Sequence, residues 1–170
     1  MVFVVKDDAP FSFKGITLMG NTQNSDVFFM RLAIAEARKA LSQGEVPIGA
    51  VIAAKGTVIA RAHNLTETLS DPTAHAEMQA LTAAAHALGS KYLQDCTLYV
   101  TVEPCPMCAA ACYWAQVGEI VYGAGDPKRG HTTIPGKLLH PKTKVRKGVM
   151  EEECGTLIAD FFKKVRDSGK

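Results

Sequence analysis

Residues 96–123 read CTLYVTVEPCPMCAAACYWAQVGEIVYG, and this stretch decides the fold. Cys96 to Thr101 is rich in β-branched and aromatic side chains, which suit a strand. Pro106 to Gln116 is Ala-rich and opens on proline, the residue best tolerated at a first helical position, so it reads as a helix. Glu119 to Gly123 returns to strand composition.

The same alternation continues outward. Upstream, Asp71-Pro72 introduces an Ala-rich stretch that ends at Leu88 before Gly89, which predicts a helix starting after the proline. Two apolar runs, Ile48 to Ala54 and Thr57 to Ala60, flank Lys55-Gly56 and read as an antiparallel hairpin. From Asp26, Val27, Met30, Ile34, Ala37 and Leu41 form an apolar stripe at helical spacing, with Phe28, Leu32, Ala35 and Lys39 on the other side and Gly44 as the stop. Downstream, Val145 to Met150 adds a short strand. Glu151 to Arg166 has the acidic start and basic end that complement a helix macrodipole. Helix, hairpin, helix, strand, helix, strand, basic loop and helix together predict an α/β fold, a three-layer α/β/α sandwich with a mixed central sheet. Residues 1–24 have no sustained period and are expected to form an N-terminal extension. Residues 25–170 make one domain, the size that a single core supports.

Composition excludes several classes. No apolar run approaches the roughly 20 residues of a membrane-spanning helix, so no membrane partner is expected. Val2-Phe3-Val4-Val5 runs straight into Lys6-Asp7-Asp8, too short for the roughly 7–15-residue core of a signal peptide. The formal charge of +2 implies no polyanion partner by itself. The five cysteines, Cys96, Cys105, Cys108, Cys112 and Cys154, are odd in number and crowded around position 108, which suits a metal site and a reducing cytoplasm better than disulfides.

Catalytic zinc takes about three His or Cys ligands and leaves one position for water. Ala74-His75-Ala76-Glu77 and Glu103-Pro104-Cys105-Pro106-Met107-Cys108 offer such a set in the H-x-E and P-C-x-x-C arrangement of zinc deaminases. Cys105 and Cys108, three residues apart, can share one helix face, and a helix N-terminus favours thiolate. His75 and Glu77 are two apart, about 200° around an ideal helix, so both reach one site only if the helix points its N-terminus at it. His75, Cys105 and Cys108 are therefore the expected Zn2+ ligands. Glu77 is the expected catalytic proton carrier beside a water whose pKa the metal lowers toward about 7. Cys112, one turn beyond Cys108, is a fourth candidate whose ordinary reading is a small core residue, as for Cys96 and Cys154. His63, His86, His131 and His140 read as surface or packing residues, with His140 a candidate for polyanion contact.

Beyond these motifs, the chain from about Asp26 onward resembles the bacterial tRNA-specific adenosine deaminases of the cytidine deaminase-like superfamily. The resemblance is carried by Gly44 to Ala50, Ala62-His63-Asn64-Leu65, Asp71 to Glu77, Thr97 to Thr101, Glu103-Pro104-Cys105 and Asp160 to Lys164. It implies hydrolytic deamination of adenosine to inosine at the wobble position of a tRNA anticodon loop, by a homodimer. It also implies that Asn64 hydrogen-bonds the target nucleotide, Val46 lines the base pocket, Asp126 sits near the flipped nucleoside, and Phe162 meets the anticodon loop. Lys128, Arg129, Lys137, Lys142, Lys144, Arg146 and Lys147 face only one acid, Asp126, across the same stretch, a phosphate footprint or a solvated basic loop. His131 to Gly136 departs from the small-residue stretch often found in the family, so RNA contacts there do not transfer. Cys112-Tyr113-Trp114-Ala115 looks like bacterial guanine deaminases, which leaves a free-base or nucleoside substrate, guanine first, as the alternative. Trp114 would then wall a small-purine pocket, or else pack on a neighbour or a dimer partner.

Overall fold

The computed structural model describes residues 3–4 and 22–169; most of the expected extension, residues 1–24, lies outside these. In chain order the elements are β1 (Phe3–Val4), α1 (Thr22–Ser42), β2 (Gly49–Ala54), β3 (Thr57–His63), α2 (Ala76–Leu88), β4 (Cys96–Val102), α3 (Pro106–Trp114), β5 (Glu119–Ala124), β6 (Lys144–Lys147) and α4 (Glu151–Asp167). The strands form one sheet in the order β1-β3-β2-β4-β5-β6. Pairs are antiparallel from β1 to β4 and parallel from β4 to β6, which gives the mixed sheet expected. Within the hairpin, Lys55 and Gly56 both adopt positive φ, 50° and 78°, the two-residue turn whose twist matches that of its strands.

Side-chain alternation along the central strands builds the three layers. Ala50 and Ile52, Leu98 and Val100, and Ile120 and Tyr122 join Ala76, Ala80, Ala84 and Cys112 of α2 and α3 in one core. Their sequence neighbours Val51, Ala53, Tyr99 and Val121 join Phe29, Met30, Ala33, Ile34 and Cys154 of α1 and α4 in the other. Cys96, Cys112 and Cys154 are thus core residues, with burial raising each thiol, Cys154 to about 12.

Three details differ from the sequence reading. The buried face of α1 is Phe29, Met30, Ala33, Ile34, Ala37 and Ala40, with Val27 and Leu41 only half-buried at its margin. Two adjacent residues per turn face the sheet because α1 lies across three strands, β2, β3 and β4. Secondly, α2 begins at Ala76, not after Pro72. Asp71 to Ala74 is a turn closed by Ala74 N–H on the Asp71 carbonyl, 3.1 Å, and Asp71 Oδ1 accepts from Thr73 N and Oγ1 at 2.8 and 2.7 Å. Thirdly, Arg146 is not part of a free basic surface. It pairs with Asp26 of α1 and, at 2.8 Å, with Glu119, while the Tyr99 hydroxyl donates to Asp26 at 3.0 Å, so it ties β6 to β5 and α1.

Candidate active site

At the C-terminal ends of the parallel pair β4 and β5 the chain leaves the sheet toward Cys105 and Asp126, the edge where open α/β sheets place ligands. Two helices start there. His75 is the N-cap of α2, with extended backbone at φ −67°, ψ 155°, and Cys105 caps α3 at φ −68°, ψ 168°. Neither side chain caps its own helix, so both are free for one another. His75 Nδ1 lies 3.6 Å from Cys105 Sγ and 3.5 Å from Cys108 Sγ. The expected difficulty of His75 and Glu77 disappears because His75 stands outside the helix and Glu77 inside its first turn.

Among the described residues, His75, Cys105 and Cys108 form the group whose ligand atoms, all within 4.8 Å of one another, could hold a metal ion. The donor set and spacing fit zinc. Zn–S bonds of about 2.3 Å and Zn–N bonds of about 2.0–2.1 Å at a tetrahedral angle place N and S about 3.6 Å apart, which is the separation found. Cys112, though one turn from Cys108, is not in the group.

The electrostatics set a thiolate at Cys105 beside a thiol at Cys108. The Cys108 hydrogen bond is the largest influence on Cys105; with His75 it outweighs burial and holds that thiol down at about 4, while Cys108 itself is raised by its hydrogen bond to Cys105 and by burial. His75 is raised, first by its bond to Cys105 and then, against burial, by the charges of Glu77 and Cys105. Burial pushes the Glu77 carboxyl up to about 7; its own backbone N–H opposes this, the charge on Cys105 adds to it, and His75 and Cys108 oppose it. Glu77 Oε2 is buried with no hydrogen-bond partner among the described residues. Such an atom is costly unless something absent from the protein itself completes it.

Two further buried carboxylates, Glu103 and Glu45, shape the surroundings, and the sequence reading assigned neither a role. Glu103 accepts from Asp126 N at 3.1 Å and from Thr132 N and Oγ1 at 3.0 and 2.8 Å; His131 Nδ1 is 3.2 Å away. It thereby binds the 126–132 loop to the Glu103-Pro104-Cys105 segment, helped by His131 N–H on the Pro104 carbonyl, 2.9 Å. The packing is close enough that a Cβ on Gly130 would lie 2.4 Å from Glu103 Cδ. His131 therefore has a carboxylate partner, as does His63, whose Nδ1 is 3.2 Å from Glu36 Oε2. Glu45 accepts from Asn64, Thr66, Glu67 and Thr68 in the same way. Sequence spacing could not reveal these pairs, since the partners lie 19 to 29 residues apart.

The substrate residues implied by resemblance are dispersed. Buried Asn64 follows β3, and Leu65 N–H on the Ala74 carbonyl, 3.0 Å, brings that strand end beside His75. Val46 is half-buried in the bend before β2. Asp126 Oδ1 accepts from Lys128 N and Arg129 N at 3.0 and 2.9 Å, so one carboxylate oxygen shapes its own loop. Phe162 is 41% exposed on α4, edge-on to Phe161, on a helix that packs against the sheet face opposite α2 and α3. Trp114 is 77% exposed on α3 and touches Tyr113 edge-on.

Fold and site together define a deaminase: the chain matches the MafB19-like deaminase family over residues 24–166. It is 47% identical over 150 residues to a tRNA-specific adenosine deaminase of Bacillus subtilis, covering 85% of this chain and 93% of that protein. A solved chain from a study of A-to-I editing by tRNA:A34 deaminases at the wobble position of transfer RNA superposes with a TM-score of 0.71 at 43% identity, covering 76% and 98%. A guanine deaminase structure from Bacillus subtilis matches at 40% identity and TM-score 0.56, over 62% of this chain and 66% of that one. The chain belongs to the tRNA-specific adenosine deaminase family, with the cytidine deaminase-like fold.

Proposed function

We propose that this protein is a zinc-dependent hydrolase that converts adenosine to inosine at the wobble position of a tRNA anticodon. The observation that carries the chemistry is the convergence of His75, Cys105 and Cys108 beside the unpartnered Glu77 Oε2. His75, Cys105 and Cys108 would hold zinc, which would supply a Lewis acid that eases removal of a proton from water. Glu77 takes that proton and delivers it to the ring nitrogen beside the amino-bearing carbon as the new C–O bond forms. It then carries the second proton to the amino group, and breakage of the C–N bond releases ammonia. Water plus adenosine thus becomes inosine plus ammonia.

In this reading Asn64 hydrogen-bonds the target nucleotide, Val46 walls the base, Asp126 offers its second carboxylate oxygen to the nucleoside, and Phe162 meets the anticodon loop. Lys128, Arg129, Lys137, Lys142, Lys144 and Lys147 serve the phosphates, with Arg146 withdrawn into its ion pairs. A homodimer belongs to the same reading. The support is Trp114, a large apolar ring left open by the described residues, as a surface that a second copy would cover.

The second reading, guanine deamination, is favoured by the 40% identity to the solved guanine deaminase. Against it, Trp114 is too exposed to wall a pocket within one protomer, and the adenosine relative covers far more of the chain. Incubation with an anticodon stem-loop bearing wobble adenosine, beside guanine, adenine, cytosine and their nucleosides, decides between them. Inosine in the RNA without small-molecule turnover is expected. Guanine turnover with inert RNA overturns the choice.

A further inference from the structure

We propose that Glu45 is a positioning residue that fixes the Asn64 side-chain amide so that the site presents a hydrogen-bond acceptor, and only an acceptor, to the substrate at that point. The inference rests on the proposed role of Asn64 as a substrate contact. Glu45 itself is fully buried and so acts through Asn64.

The geometry determines the amide's orientation. Asn64 Nδ2 carries two protons; one is directed at Glu45 Oε2, 3.0 Å away, and the other at Thr66 Oγ1, 2.9 Å away. The Thr66 hydroxyl in turn donates to Glu45 Oε2 at 3.2 Å, which completes a closed triangle. Flipping the amide would set Oδ1 against the carboxylate, two acceptors face to face, so nitrogen must occupy that side. Oδ1 is left for the ligand and can meet an N–H or O–H but not another lone pair.

Glu45 has no ion-pair partner among the described residues, and a buried carboxylate without one must be compensated by donors. Here they are supplied by the 64–68 loop wrapped around it. Thr68 N donates at 2.7 Å and Glu67 N at 3.2 Å, besides Thr66 and Asn64. Burial raises the Glu45 carboxyl, but the Thr68 and Glu67 amides and the threonine hydroxyls outweigh it and hold it below the usual range, so it remains an anion. The cradle is anchored next to the metal ligands, because Asn64 N–H donates to the Ile48 carbonyl at 3.0 Å and Leu65 N–H to Ala74, the residue before His75. A site that aims a fixed acceptor rejects ligands lacking the matching donor far more strongly than a pocket of apolar walls does.

The test is a double-mutant cycle with Glu45→Gln, Asn64→Ala and the double variant, with zinc content and melting temperature measured on each. It is run on whichever substrate the wild type turns over, so failure of the tRNA reading leaves the cycle readable. Glu45→Gln is expected to retain zinc and lower kcat/KM by about 10- to 100-fold, the range for one hydrogen bond to a charged group, mainly through KM. Glu45→Asp, which keeps the charge, is expected to recover part of the loss and serves as the test if the glutamine variant does not fold. In the Asn64→Ala background the Glu45 substitution should cost less than about 2-fold, because it has nothing left to position. Independent losses that multiply, an unaltered Glu45→Gln enzyme, or an Asn64→Ala enzyme with full activity would each overturn the proposal.

Discussion

The corner formed by His75, Cys105 and Cys108 and the walls around it are built on different plans. His75 and Cys105 are the N-caps of α2 and α3, so two helix starts, each specified by a few consecutive residues, bring these side chains together. The walls are loops drawn around buried carboxylates: residues 64–68 around Glu45, and residues 126–132 around Glu103. The first plan places reactive atoms through local backbone geometry and tolerates little change in ligand chemistry. The second places loops through charge, and so depends on the carboxylates staying ionised. The difference teaches that disruption should act all-or-none at the corner and by degrees at the walls.

Removing a corner ligand should have the largest effect. Cys105→Ala should fall to well under one zinc per chain by elemental analysis, with activity down by at least about 10³-fold, since both Lewis acidity and orientation go with the ion. Retained metal and turnover would break the contrast. Glu77→Gln comes next: zinc content unchanged, kcat lower by about 10²- to 10⁴-fold. Near-normal turnover in a zinc-loaded Glu77→Gln protein would remove it from the chemistry.

The walls should instead yield to acid. Glu36, which grips His63 beside Asn64, is raised by burial but lowered more by hydrogen bonds from His63 and Lys39 and by the charges of Lys39 and Arg61, and rests at about 2. Its folded value is below the unfolded value of about 4.3, so its stabilisation is fully present above that pH and is lost as pH falls from about 5 through 2. The contribution is on the order of 2–3 kcal/mol. Glu36→Gln should flatten the stability curve in that window, as followed by urea unfolding at successive pH values; an unchanged slope would deny the carboxylate this role. Glu103→Gln leaves Asp126 N–H and Thr132 N–H with a weaker acceptor. It should cost about 1–3 kcal/mol and speed hydrogen exchange at those two amides while zinc stays bound. The smallest effect belongs outside both regions. Trp114→Ser should move monomer stability by no more than about 0.5 kcal/mol, yet shift sedimentation from dimer to monomer if a second copy covers that ring.

Much was legible in the residues themselves. His75, Glu77, Cys105 and Cys108 could be named from spacing because caps and first-turn positions are local, and α3 carries its own start signal in Pro106. The order of helices and strands marked a sheet covered on both faces, as the two cores show. The start of α2 was misread because Pro72 serves a turn as readily as a first helical position, and only the hydrogen bonds of Asp71 to Ala74 distinguish the two. The face of α1 was misread because periodicity gives the spacing of a stripe and not how many strands lie beneath it.

What the sequence by itself determined is thus the donor set, the layered architecture and the reaction class, all encoded by short-range patterns. Tertiary structure alone decided that Glu45, Glu103 and Glu36 are buried and hydrogen-bonded, that Arg146 is spent on Asp26 and Glu119, and that Trp114 is exposed among the described residues. The reason is physical. Whether a carboxylate or an aromatic ring is covered depends on chain segments tens of residues away, and no local period records which of them will arrive.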